Sequence, residues 1–199
     1  MSFFCRLKLL LLSLPFGSSC PPQYKDVTCN GGILSTPTYG LDGAVFSFCA
    51  SIEINAPVQD VSNTILNFRN YKEWNTFIYD ADVPANIDTP DDVEPGLAVT
   101  SYSTGLTPGS NNTGTDVVTF VDRPFRTAWK NDQYQDLIGV SEHVSTFCPM
   151  PGGKTRYTHW QTEYMPQSSA LLPIKDNFQH QFEVQTRDLK AYVEKQQGC

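Results

Sequence analysis

The chain has 199 residues, of which 40% are hydrophobic, 18% charged and 12% aromatic. Its 14 Lys and Arg stand against 21 Asp and Glu, a formal charge of -7, which argues against a nucleic-acid binder or a reader of anionic membranes, because both need a basic surplus against phosphate. Length predicts one domain, and the apolar content excludes global disorder.

The N-terminal stretch Met1 to Ser19 differs in character from the rest of the chain. Arg6 and Lys8 lead into the apolar run Leu9 to Phe16, and Gly17, Ser18 and Ser19 supply small residues before Cys20. Two readings stay open: a secretory signal, with basic, apolar and small-residue regions in turn, or an unrelated Leu-rich leader. The first sends the protein into the secretory pathway and the second leaves it cytoplasmic. The run is too short to span a bilayer, and no other stretch approaches ~18 uninterrupted apolar residues, so no integral membrane span is expected in the domain. Residues 20–43, rich in Pro, Gly, Thr and Tyr and without periodicity, read as an extended arm. The domain expected over 44–197 then holds 11 Lys and Arg against 19 Asp and Glu, so the acidity lies in the folded part.

The six cysteines form no Cys-x-x-Cys pair and no Cys/His spacing suited to zinc, so no metal site is expected. Cys20 with Cys29 is the expected bridge, while Cys49 and Cys148 sit in apolar strand patterns and read as buried thiols. Asn111-Asn112-Thr113 is a glycosylation sequon in a stretch that reads as a loop, with Asn111 as the acceptor.

Val45 to Ile54 alternates, with Phe46, Phe48, Ala50, Ile52 and Ile54 on one face, and predicts a half-buried strand. After Asn55-Ala56-Pro57, the helical spacing of Val58, Val61, Ile65 and Phe68 predicts a short helix that Asn67 to Asn70 ends. Tyr71 to Trp74 reads as a second helical turn, and Phe77-Ile78 restarts extended chain. Strands are predicted at Leu97 to Ser103, Thr115 to Val121, Phe125 to Lys130, Ser141 to Phe147 and Lys154 to Tyr164, separated by turn chemistry such as Pro108-Gly109 and Pro151-Gly152-Gly153. Short connections favour an antiparallel meander. From Ile174 to Gln197 the period changes: Phe178, Phe182, Gln185, Leu189 and Val193 recur three or four apart, which predicts a long amphipathic closing helix. The sum is an α+β domain in which a curved antiparallel sheet of about seven strands wraps one helix, with a ligand cavity expected between them.

Several segments resemble the START-like superfamily, which includes polyketide cyclase/dehydrase, Bet v 1-like and coenzyme-Q-binding members. They are Ile52-Glu53-Ile54-Asn55-Ala56-Pro57, Asn70-Tyr71-Lys72-Glu73-Trp74-Asn75 with Phe77-Ile78, Thr127-Ala128-Trp129, Gly139 to His143, and Gly152 to Trp160. The resemblance covers about Ala44 to Gln197 and implies the helix-grip fold and a pocket, though not a chemistry, since carriers, receptors, cyclases and pericyclic catalysts share this scaffold. The Gly-rich loop of the plant allergen members is missing, and Asp88 to Gly96 stands in its place. The superfamily pattern implies that His143, Ser145 and Phe147 face inward.

His143 and His159 are the candidate general acid/base groups, with Tyr157, Tyr102 and Asp116 next. Trp74, Phe77, Tyr102, Trp129, Phe147, Trp160, Phe178 and Phe182 are candidate ligand contacts; Trp74 could equally lock the two short helices to the sheet, and Phe178 and Phe182 could equally fill the core. No Ser/His/Asp elbow, phosphate-binding loop or dinucleotide fingerprint is present, so no cofactor is expected. Two ligand-binding classes remain, beside a third, non-binding one, a secreted structural or surface protein, that the leader and sequon keep open. One is a cofactor-free cyclase, dehydratase or pericyclase acting on a polyketide- or terpenoid-like intermediate. The other is a non-catalytic carrier or sensor of a lipid, sterol or prenylquinone.

Overall fold

A computed structural model describes residues 19–198, so the leader expected at the N-terminus lies outside the described residues. In chain order the elements are α1 (Pro22–Lys25), β1 (Ala44–Ile54), α2 (Val58–Leu66), β2 (Ile78–Asp82), β3 (Ala98–Thr107), β4 (Ser110–Asp122), β5 (Arg126–Asn131), α3 (Gln135–Ile138), β6 (Val140–Met150), β7 (Lys154–Tyr164) and α4 (Lys175–Gln197). Short 3-10 turns occupy Phe68–Glu73, Pro90–Asp92 and Pro166–Ile174. The strands form one antiparallel sheet in the order β1-β7-β6-β5-β4-β3-β2, and α4 lies across its concave face. This is the α+β helix-grip architecture expected from the sequence. No helix among the described residues is long and apolar enough to cross a membrane.

Two apolar clusters fill the concave side. Near the C-terminal half of α4, Leu189 and Val193 meet Val61 and Ile65 from α2 and Phe147 and Tyr157 from the sheet. Near its N-terminal half, Phe182 meets Phe46, Phe48, Phe77 and Leu106. Burying each such side chain contributes roughly 1.5–3 kcal/mol, which is why the apolar stripe of α4 selects this face. Trp74, 7% exposed, belongs to the first cluster, edge-on to Tyr71 at 5.1 Å and 6.4 Å from Tyr192, so it joins the 3-10 turn to α4.

The arm departs from expectation. It begins with the single helical turn α1 and lies along the convex face, where Val27 and Leu34 cover Ala128, Val144 and Trp160. Polar contacts pin it: Thr36 Oγ1 lies 2.7 Å from the Tyr164 hydroxyl, and Thr162 Oγ1 donates to the Leu34 carbonyl at 2.6 Å. Glu142 is wholly buried and accepts from Thr38 N at 2.9 Å, Thr38 Oγ1 at 2.6 Å and Thr119 Oγ1 at 2.6 Å. A bulge between Val118 and Phe120 makes this possible, because the extra residue lets Val118 stay in the concave core while Phe120 joins the convex cluster.

The cysteine pairing corrects the expectation. The bridges are Cys20–Cys148 and Cys29–Cys49, so the arm is tied to the sheet at two points rather than to itself, and the two strand cysteines are not thiols. The polar side chains at neighbouring arm positions gave no indication of a docked segment. The sequon also sits differently: β3 runs on to Thr107 and pairs with Ser110 across the Pro108-Gly109 turn, which puts Asn111 on an exposed strand end rather than in a loop. Neither α3 nor the Pro166–Ile174 turn was predicted, since both are too short to establish a period.

Candidate functional site

A cavity of about 370 Å³ opens between the sheet, the N-terminal half of α4, α3 and the Pro166–Ile174 turn, a volume within the usual range for small-molecule sites. Strand pairing arranges its wall in transverse rows. Outermost, Asn131 faces Ser141 and Ser141 faces Glu163. Next, Trp129 faces His143 and His143 faces Gln161. Deeper still, Ser145 faces His159, and last comes Phe147 opposite Tyr157. Side chains two residues apart share a face, and each row lies roughly 7 Å from the next, so the wall passes from polar near the outer rows to apolar at depth.

The structure brings His143, Asp116, Phe77, Trp129, Phe178 and Phe182 to this cavity. His143 stacks on Trp129 with ring centres 4.5 Å apart and planes 13° apart, and its Nε2 is 3.4 Å from Ser145 Oγ. Burial, and then the neighbouring His159, hold His143 well below the usual histidine range, so the imidazole is neutral at physiological pH. Phe178 stacks on Phe48 at 4.9 Å, while Phe182 lies flat against His159 at 4.5 Å.

The other candidates fall elsewhere. His159 lies behind the lining: its Nε2 reaches the Phe182 carbonyl at 3.1 Å and Thr186 Oγ1 at 2.8 Å. That carbonyl can only accept, and the Thr186 hydroxyl already donates to it at 2.7 Å, so Nε2 carries the proton. Burial pushes His159 down to about 3. Tyr157 and Phe147 are fully buried beneath the cavity, with the Tyr157 hydroxyl 3.3 Å from Ser145 Oγ. Tyr102 donates to Asp82 Oδ2 at 2.8 Å and stands outside the lining. Trp160 is on the convex face beneath the arm, because it alternates with His159 and Gln161. Trp74 is core, packed between the 3-10 turn and α4.

In the outer row residue-type reasoning named Asp116 but passed over Glu163. Glu163, 2% exposed, lines the cavity, accepts from Gln161 Nε2 at 2.7 Å, and is pushed by burial up to about 7. Asp116 also lines it, held by Asn131 Nδ2 at 3.2 Å and Ser101 Oγ at 3.3 Å, with burial raising it to about 6. The side-chain oxygen of Gln185 and the side-chain nitrogen of Asn112 are enclosed without a partner, and both residues line the cavity. No Lys or Arg is among the lining residues. The pairing held a signal for Glu163. The Pro151-Gly152-Gly153 turn sets Met150 opposite Lys154, and counting back from that pair puts Glu163 opposite Ser141, two positions from His143 on the same face.

An apolar hollow with a few convergent polar groups, gripped between a curved sheet and a long helix, defines a hydrophobic-ligand-binding domain of the START-like class. The chain belongs to the family described as polyketide cyclase/dehydrase and lipid transport, whose model matches residues 45–194. Solved structures agree on the fold. The Zhui aromatase/cyclase from a Streptomyces species superposes with a TM-score of 0.60 at 10% identity, over 75% of this chain and 94% of that one. The di-domain aromatase/cyclase StfQ of the steffimycin biosynthetic pathway gives 0.59 at 15% identity, over 77% of this chain and 52% of that one. A START superfamily protein from Mycobacterium smegmatis gives 0.57 at 13% identity, over 75% and 98%. No curated protein matches significantly in sequence.

Proposed function

We propose that the protein is a cofactor-independent cyclase or dehydratase acting on a polyketide- or terpenoid-like intermediate held in the concave cavity. One observation carries this reading: Glu163 and His143 are diagonal neighbours on paired strands inside one enclosed hollow. Such neighbours lie roughly 7–8 Å apart, within reach of two atoms of one substrate. Burial acts on them in opposite chemical directions, leaving the carboxyl about half protonated at neutrality and the imidazole uncharged.

That pair suits an intramolecular aldol condensation. Neutral His143 takes a proton from the acidic carbon between two carbonyls, the carbanion adds to a second carbonyl, and Glu163 delivers its proton to the new alkoxide oxygen. Dehydration reverses the roles: the Glu163 carboxylate takes the next carbon-bound proton, and the hydroxyl leaves as water with the proton held on His143. Both groups return to their starting states. Trp129, Phe178 and Phe182 hold the chain folded, which supplies much of the rate by orientation; Asn112 Nδ2 offers an unused donor to a carbonyl oxygen and Gln185 Oε1 an unused acceptor to a hydroxyl.

Incubation of the purified protein with a poly-β-ketone thioester mimic tests the reading. A product ratio shifted from that in buffer, and returned towards it by His143→Gln, supports it; a ratio identical to buffer defeats it. A carrier role is the second reading, favoured by the exposed apolar side chains Tyr134, Leu137 and Leu172 on the elements that border the cavity. It calls for an intact apolar molecule retained in native mass spectra.

A further inference from the structure

We propose a second ligand site, separate from the concave cavity, in which a small organic monocarboxylate binds Arg126 beneath the arm. A hollow of about 570 Å³ lies between the arm and the convex face of the sheet. Its floor includes Arg126 and Trp160, and its roof is built by the stretch from Pro22 to Ser35. The roof is fixed in place: Cys29 is bonded to Cys49, Cys20 to Cys148, and Arg156 Nη2 donates to the Lys25 carbonyl at 2.6 Å. A preformed hollow costs a ligand little ordering on binding.

Arg126 is the reason to expect an anion there. Its Cζ lies 5.1 Å from the centre of the Tyr24 ring, 5.6 Å from Phe120 and 5.8 Å from Trp160. Ring contacts of this kind satisfy the face of a guanidinium and leave its in-plane N–H groups to seek acceptors. Arg126 Nε is enclosed and has no hydrogen-bond partner, and among the described residues no carboxylate lies within ion-pair distance of the group. Asp122, close by, is engaged by the Tyr24 hydroxyl at 2.9 Å, and that hydroxyl together with Asp122 and Glu142 acts on the guanidinium without reaching its Nε. Trp160 is 2% exposed, yet its Nε1 also lacks a partner. Two orphan donors on two side chains that line one hollow are unusual in a folded protein.

A carboxylate answers both, with its oxygens on the guanidinium edge and the indole N–H. Val27, Ile33 and Leu34 line the same hollow and suit an apolar body. Charge selects a monoanion: the chain carries -7 overall and Asp26 also lines the site, so a second negative charge meets repulsion.

Octanoate is the probe, titrated into the full disulfide-bonded chain while the indole N–H resonances of the three tryptophans are followed by NMR and assigned with Trp160→Phe. The expected result is a saturable shift of the Trp160 resonance. Octanol and inorganic phosphate should bind about tenfold or more weakly, and Arg126→Gln should weaken octanoate by a similar factor, with Arg126→Lys retaining part of the affinity. The unchanged Trp74 and Trp129 resonances confirm that each variant is folded. A shift confined to Trp129 or Trp74 places octanoate elsewhere and overturns the proposal. So does equal binding of octanol or phosphate, or octanoate affinity indifferent to Arg126→Gln.

Discussion

Replacing Glu163 by Gln should make the protein more stable above neutral pH. The carboxyl has an ordinary value of 4.5 and is raised by burial to about 7. Between those two values the folded protein holds a proton that the unfolded chain has lost, so stability falls as pH rises through the window and the full penalty is present above about 7. The gap corresponds to about 3 kcal/mol, taken as a ceiling for a side chain that is 2% exposed. Gln has nearly the same shape, keeps an oxygen for the 2.7 Å hydrogen bond from Gln161 Nε2, and does not titrate. Asp116 is raised for the same reason but is present in both proteins, so its contribution cancels in the difference. Urea denaturation of the disulfide-intact proteins, followed by tryptophan fluorescence, gives that difference at each pH. The variant should gain on the wild type by about 3 kcal/mol between roughly pH 4.5 and 8, mostly below pH 7. A difference independent of pH, or one that grows towards acid, would refute the claim that Glu163 is buried and protonated.

Glu142→Ala removes the acceptor of three hydrogen bonds on a fully buried carboxylate and leaves their donors unpaired; a loss of about 3 kcal/mol is expected in the same denaturation experiment, with faster proteolysis of the arm. The paired change Cys29→Ser with Cys49→Ser opens a loop of 20 residues and should cost about 3 kcal/mol, whereas Cys20→Ser with Cys148→Ser, across 128 residues, should cost about 5. Thermal scans of the two double variants should rank them in that order. Gly139 sits at φ 76° beside the cavity, and a Cβ there would collide with Ser168 Oγ and the Tyr164 carbonyl; Gly139→Ala should cost at least about 2 kcal/mol, read by its urea midpoint.

The concave half of the molecule was legible because its signals are periodic. Phe46, Phe48 and Ala50 alternate on β1, and Phe182, Leu189 and Val193 recur at helical spacing on α4, so each face announces its burial. The convex half was not. The contacts of the arm are single polar groups such as the Thr36 and Thr38 side chains and the Leu34 N–H, whose partners lie more than a hundred residues away or on a strand already counted as half exposed. No local pattern encodes such pairings, and the same blindness hid the two disulfides. Trp160 was misplaced for a related reason: alternation separates it from His159 but does not say which face the helix covers. At the cavity, His143 was found by residue type. Glu163 was passed over because a carboxylate on a strand is ordinarily solvated and only the register encloses it, while Gln185 was legible on the buried stripe of α4 but was given no role.

In the proposed reaction Glu163 supplies a proton and neutral His143 removes one inside the concave cavity. The rate of cyclisation of a poly-β-ketone mimic against pH tests it most directly. The wild-type rate should fall as pH rises through about 7, where Glu163 loses its proton, and Glu163→Gln should show a low rate without that fall. The same falling profile in Glu163→Gln, at an undiminished rate, would contradict it.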